Sequence, residues 1–232
     1  LEHLLRDPVP LWGLVRTRLG YLLLDEHALQ TILPMLKGGL PWGRSDLLSF
    51  MMWRGDTPHG RAEAMGRRLC VARCLPVALG WMLRRRLPLG FAYINTGHSN
   101  LTSRMLSSVK ASDGRIAVLV HDVIPLEHPD WQKTGSVEKF RDKIACVGAL
   151  ADLVIHTSCD GQRRVEQSMQ SIGRVPPGVV AYQGVEPAYP DPAQLPQGLP
   201  PERPYFVAVG TIEPRKNINL LLDVWDDLGP DA

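Results

Sequence analysis

The chain has 232 residues, 44% hydrophobic and 22% charged, with a formal net charge of +2 at pH 7. That is enough for one good core, or for one domain and part of another, in an ordinary globular protein. The near-neutral balance leaves no electrostatic footprint for nucleic acid, no signal peptide is visible, and no run approaches the roughly 20 apolar residues of a membrane span.

From the start, LEHLLRDP reads as the tail of a helix, and the first residue is Leu1 rather than Met, so both ends are expected to be truncated. Leu11 to Thr17 and Tyr21 to Leu24 read as short strands, and Glu26 to Lys37 as a helix closed by Gly38 and Gly39. Gly38 to Gly60 reads as an irregular connection, and Arg61 to Arg86 as helix interrupted near Pro76. Phe91 to Asn95 is a strand, Ser99 to Ser108 a helix capped by Ser99 or Asn100, and Arg115 to His121 the clearest strand of all. Val137 to Leu150 (helix), Leu153 to His156 (strand), Asp160 to Ser171 (helix) and Val179 to Tyr182 (strand) follow. Repeated strand–helix units imply an α/β fold, a Rossmann-like doubly wound parallel sheet covered on both faces. Pro187 to Pro204 holds seven prolines and little periodicity, so it reads as an interdomain linker. The expected organisation is one domain over residues 1–186, the linker over 187–204, and the start of a second domain over 205–232.

The four cysteines, Cys70, Cys74, Cys146 and Cys159, lack framework spacing and point to reduced thiols in a cytoplasmic compartment. Cys70 and Cys74 are four apart, so on a helix they would share a face and could share a metal. No second pair stands nearby, and they read as structural thiols. No metal site and no cofactor is expected.

In a parallel sheet, ligands collect at the carboxyl ends of the strands. His98, Ser99 and Asn100 follow one strand, and His121 and Asp122 follow another. An adjacent histidine and aspartate can orient ligand hydroxyls through directional hydrogen bonds, or His121 can simply satisfy backbone groups at a loop entrance. Glu127 and His128 read as loop structure. The most informative stretch is YFVAVGTIEPRKNINLLLDVW, Tyr205 to Trp225. Tyr205 to Val209 has the composition of a buried parallel strand, Gly210 allows a sharp turn, and Pro214 to Asn217 open an amphipathic helix with Ile218, Leu221, Leu222 and Trp225 on one face. Arg215 and Lys216 then stand at a helix start, where free N–H groups and fixed charge can hold a phosphate or diphosphate. A solvated helix end is the plainer reading of the Arg-Lys pair. Leu75 to Leu89 is a cationic amphipathic segment, with Trp81, Met82 and Leu83 ahead of Arg84, Arg85 and Arg86. It reads either as a peripheral contact with anionic lipid or as a buried helix ending in solvated arginines.

VGTIEPRKN resembles the opening of the donor-binding domain in the retaining GT-B fold glycosyltransferases of family 4, and YINTGHSNL, VLVHDVIPLEHP, and ADLVIHTS followed by VVAYQGVEP resemble, in the family's order, segments of its N-terminal domain. The resemblance covers Phe91 to Trp225 and only loosely the first 90 residues. It implies the N-terminal half of a GT-B fold plus the first strand–helix unit of a second Rossmann-like domain. By that resemblance the chain would transfer a hexose, with mannose preferred, from a nucleotide sugar to a glycan or lipid-linked acceptor. His121 and Asp122 would lie at the donor sugar, and Gly210, Thr211, Arg215 and Lys216 at the donor diphosphate. His98, Ser99 and Asn100 would face the acceptor. Many relatives carry an arginine where Thr211 stands here, a charge that Arg215 could replace. The leaving phosphate itself would take the acceptor proton. The family's glutamate pair would lie beyond Ala232, in a protein of roughly 350 residues or more. This chain alone would then be inactive, with Val207 and Leu221 carrying unburied apolar surface. The alternative is a non-catalytic truncated Rossmann-like module that binds or docks a partner. A dinucleotide-dependent dehydrogenase is disfavoured, because no GxGxxG follows an early strand.

Overall fold

The computed structural model describes residues 1–185, 189, 191, 193, 195, 197–199 and 205–228. Its first sheet is antiparallel. β1 (Gly13–Arg16) and β2 (Tyr21–Leu24) pair with Gly13 opposite Leu24 and Arg16 opposite Tyr21. The link between them is closed by Thr17 N–H donating to the Gly20 carbonyl at 2.8 Å. So short a connection permits a hairpin but not the crossover that parallel strands need, which is why these strands lie outside the parallel sheet. β3 (Ala72–Cys74) pairs antiparallel on the other side of β2.

Between these strands run α1 (Glu26–Leu36), capped by Asp25, then α2 (Leu47–Trp53) and α3 (Pro58–Leu69). α2 lies where an irregular connection is expected, and β3 where helix is expected. LLSFMMW is apolar almost throughout and shows no helical period, and three residues are too few to show alternation. Asp46 caps α2 and binds the Arg67 guanidinium at 2.7 Å, which holds its carboxyl down at about 2 and ties α2 to α3. Cys70 caps the end of α3 and Cys74 closes β3, so the two do not share a helix face; burial pushes both thiols up. Among the described residues no group of three or more His, Cys, Asp or Glu side chains could hold a metal ion.

The second sheet is parallel, with β4 (Ala92–Asn95), β5 (Arg115–Val120), β6 (Leu153–His156) and β7 (Gly178–Val180) side by side in chain order. α4 (Leu79–Arg86) precedes it, and α5 (Ser103–Lys110), α6 (Ile124–Glu127), α7 (Ser136–Leu150) and α8 (Cys159–Ile172) follow its strands. This is an α/β, Rossmann-like arrangement of a parallel sheet flanked by helices. One core joins the two sheets: Leu23 of β2 and Leu83 of α4 cluster with Leu106, Val118, Val147 and Val165, each at most 1% exposed. Each such side chain stabilises the fold by about 1.5–3 kcal/mol. α5 begins later than the sequence suggests, because His98 (φ 52°) and Asn100 (φ 58°) are left-handed; Thr102 is its cap. Asp152 pins the start of β5, accepting from Ile116 N–H at 2.7 Å and from Lys110 at 2.5 Å. The opposite face of the sheet is only partly covered, with Ile94 51% and Val179 45% exposed.

The linker expected over Pro187–Pro204 falls largely outside the described residues. α9 (Ile218–Leu228) forms as expected, but Tyr205–Val209 is not a strand. Among the described residues no neighbouring strand accepts its backbone groups, and Val207 stays 72% and Phe206 86% exposed. Phe206 instead meets the Trp225 ring edge-to-face at 5.7 Å. Pro214–Lys216 forms a separate 3-10 turn, divided from α9 by left-handed Asn217, so Arg215 and Lys216 precede the α-helix and do not open it.

Two consequences for stability can be measured. A Cβ at Gly20 would lie 1.9 Å from the Cys74 carbonyl oxygen, so backbone must move to admit it. Gly20→Ala should destabilise by about 3 kcal/mol and lower Tm by roughly 6–12 °C in a thermal melt. His156 is 1% exposed and neither ring nitrogen has a hydrogen-bond partner among the described residues; burial lowers its pKa, against a weaker pull from Glu166. The unfolded chain therefore takes up this proton first as pH falls below about 6.5, and stability drops on acidification. Melts from pH 7 to pH 5 should show that drop, and His156→Leu should reduce it.

Candidate functional site

β5 ends at Val120, and the chain leaves the sheet with His121 and Asp122 at its carboxyl edge. Here Asp122 Oδ1 accepts the Ile124 N–H at 3.2 Å, folding the turn that starts α6. The His121 carbonyl accepts from Thr157 Oγ1 at 3.3 Å, tying it to the loop after β6. Its imidazole lies between two neighbours. Nδ1 is 3.4 Å from Gln183 Nε2, and the His98 ring packs against it at 5.4 Å in an edge-on arrangement. His98 also meets Phe140 at 6.1 Å, its Nε2 is buried without a partner among the described residues, and burial pushes its pKa down.

The three expected acceptor-side residues occupy the loop after β4, behind His121. Asn95 organises that loop: its amide donates to Tyr93 Oη and to the Ser99 carbonyl, both at 2.9 Å. Asn100 Oδ1 accepts from Tyr21 Oη at 3.1 Å. None of His98, Ser99 or Asn100 lines the cleft described next; His98 reaches it through His121.

A cleft of about 420 Å³ opens at this sheet edge, and His121 and Asp122 form part of its wall. Arg215 and Lys216 line it too, brought there from more than 90 positions along the chain. Of the four residues expected at the diphosphate, these two line the cleft, whereas Gly210 and Thr211 stand behind them. Gly210 underlies the Lys216 stem, since a Cβ there would sit 3.7 Å from its Cγ, Cδ and Cε. Thr211 donates its hydroxyl to Glu213, and Glu213 pairs with Arg215 at 2.9 Å. That pairing, with a smaller part from Asp122, raises the Arg215 pKa. Lys216 makes no salt bridge among the described residues, although its charge helps hold the Glu213 carboxyl down, behind the Arg215 and Thr211 hydrogen bonds.

The sequence reading missed the rest of the wall. Ser158 caps α8 by accepting the Gly161 N–H at 3.0 Å, and both residues line the cleft at the helix N-terminus. Arg164 also reaches it, bound to Asp160 at 2.7 Å and to Glu127 at 3.2 Å, which locks α6 onto α8. His128 and Trp131 stack with ring centroids 4.0 Å apart and planes 11° from parallel. The available signal was position: the end of β6, like that of β5, is a carboxyl edge. Chemically, the cleft offers an imidazole, carboxylates to accept hydroxyl protons, an aromatic pair, and a cationic wall with a helix N-terminus for an anion.

No protein-family model matches this chain. No solved structure matches it. Two serotype-specific mannosyltransferases named WbdA, both from Escherichia coli, are each 26% identical to it over 136 residues. The aligned part is 53% of this chain but only 17% of one relative and 16% of the other, so the chain spans about a sixth of their length. This distant similarity supports a glycosyltransferase relationship.

Proposed function

We propose that the protein is a retaining hexosyltransferase of the GT-B fold, family 4, working in polysaccharide biosynthesis at the cytoplasmic side. Mannose is the favoured sugar, carried by a nucleotide-sugar donor to a glycan or lipid-linked acceptor. One observation carries this reading: Lys216, a cation without a salt bridge among the described residues, lines one cleft with His121 and Asp122. A donor sugar at His121 and Asp122 would place its diphosphate against Lys216, Arg215 and the N-terminus of α8. The fixed cations stabilise the departing diphosphate, and with front-face attack the leaving phosphate takes the acceptor proton. Gly210 keeps the backbone close behind Lys216, and Thr211 orients Glu213. Activity is assigned to a complete two-domain protein, not to residues 1–232 alone. The similarity to WbdA is what favours an enzyme over a non-catalytic binding module. A single charge-assisted contact is worth about 1.5–3 kcal/mol, or roughly 10–150-fold in affinity. In the full-length protein, Lys216→Ala should therefore weaken GDP or UDP binding, whichever base is used, by roughly that factor and reduce transfer in parallel. Unchanged nucleotide affinity in calorimetry would remove the diphosphate role.

The membrane is the second surface of this proposal. Among the described residues no helix is long and apolar enough to cross a membrane. At α4, however, Val77 is 82%, Trp81 60% and Leu89 82% exposed beside Arg84, Arg85 and Arg86. Arg85 lies over the Trp81 ring at 5.6 Å. Met82 and Leu83 turn into the core, so of the expected apolar patch Trp81 alone stays outside beside the arginines; an exposed indole next to three arginines fits an anionic bilayer surface, at about 1 kcal/mol per arginine. Liposomes containing phosphatidylglycerol should carry the protein to the top of a flotation gradient. Arg84→Gln, Arg85→Gln and Arg86→Gln together should leave it at the bottom; unchanged flotation would exclude the contact.

A further inference from the structure

A smaller cavity, of about 210 Å³, adjoins the cleft. Asp122, Ile124, Trp131 and Arg215 belong to both and form the wall between them. Gln132 and Glu213 line only the smaller one. We propose that this cavity is the acceptor subsite and that Trp131 is the platform on which one neutral pyranose ring lies, an inference that rests on the glycosyltransferase reading above.

The platform is built locally. Pro129–Trp131 forms a 3-10 turn directly after α6, and Trp131 N–H donates to the His128 carbonyl at 3.2 Å. This turn lays the two rings in parallel at 4.0 Å. One indole face is thereby covered and the ring fixed, yet Trp131 remains 43% exposed at the junction of two cavities. A rigid aromatic surface in a polar surround suits a sugar. The C–H face of a pyranose is apolar and slightly positive, and the indole face is negative. The hydroxyls at its edge need both donors and acceptors: Gln132 supplies both, Asp122 and Glu213 accept, and Arg215 donates.

Size and charge select against the nucleotide. The cavity is smaller than the roughly 300–1,000 Å³ that larger ligands fill, and two carboxylates at its rim disfavour a phosphate-linked base. A pyranose here would abut Asp122, the residue shared with the donor cleft, which brings the acceptor hydroxyl beside the donor sugar. The subsite is therefore distinct from His98, Ser99 and Asn100, which line neither cavity.

The test uses saturation-transfer NMR on the full-length protein with methyl α-D-mannopyranoside, methyl α-D-glucopyranoside and methyl α-D-galactopyranoside, and GDP and UDP titrated separately. At least one glycoside should bind. Trp131→Ala should weaken that binding about 10-fold, near 1.4 kcal/mol, while Trp131→Phe restores it to within about 3-fold by keeping a flat ring. Nucleotide affinity should stay unchanged in both variants, which also reports that the fold is intact. Three results would overturn the proposal: no glycoside binding by the wild type, glycoside binding indifferent to Trp131→Ala, or nucleotide affinity lost in Trp131→Ala. The first two leave the donor reading standing if nucleotide still binds and still depends on Lys216. Loss of nucleotide binding in Trp131→Ala would instead assign the ring to the base.

Discussion

Ile116, Val118 and Val120 alternate along β5 with their side chains buried against α5 and α7, and the register of this one strand decides where the polar residues after it emerge. A shift of one residue would exchange the faces of the strand and turn Val118 out of the core. Asp152 guards against that shift at the strand's entry, holding Ile116 N–H, while the parallel neighbours β4 and β6 fix both flanks. With the register set, His121 and Asp122 can stand only at the carboxyl edge. The loops after β4 and β6 then meet them there, one through the His98 ring and the other through Thr157. Geometry at the cleft is thus inherited from apolar packing about one strand.

Electrostatics complete what packing begins. Arg164 is bound to two carboxylates and serves as a brace between α6 and α8. Lys216 lacks such a partner among the described residues, and this difference separates a structural cation from one available to a ligand. The segment from Tyr205 to Leu228 has no buried side chain, so its basic turn meets the cleft through charge more than through packing.

Much of this was legible in the sequence, and the failures are local. Leu153 to His156 was placed to the residue, and Arg115 to Val120 nearly so, because a buried parallel strand shows as a short apolar run between polar turns. The hairpin at Tyr21 was also readable, since only three residues separate the two expected strands, yet the expectation of uniform strand–helix units hid it. α2 and β3 carry too little period to be seen. Tyr205 to Val209 has strand composition without a strand beside it, so composition promised what pairing does not supply. At the site, strand ends pointed to His121 and Asp122, and the basic turn to Lys216. Trp131 escaped because its importance lies in a stack formed by a three-residue turn, which no periodicity announces.

The pairing of Arg215 with Glu213 has one more implication. The two residues are neighbours at one short turn, so the cleft carries an internal counter-ion already seated on one of its cations. An incoming anion meets a guanidinium that gives one N–H to that carboxylate and has others left to donate, and the carboxylate, which cannot diffuse away, competes for the same charge. The cation is consequently shared between two negative partners, and release of the anion is assisted by a group the chain never lets go.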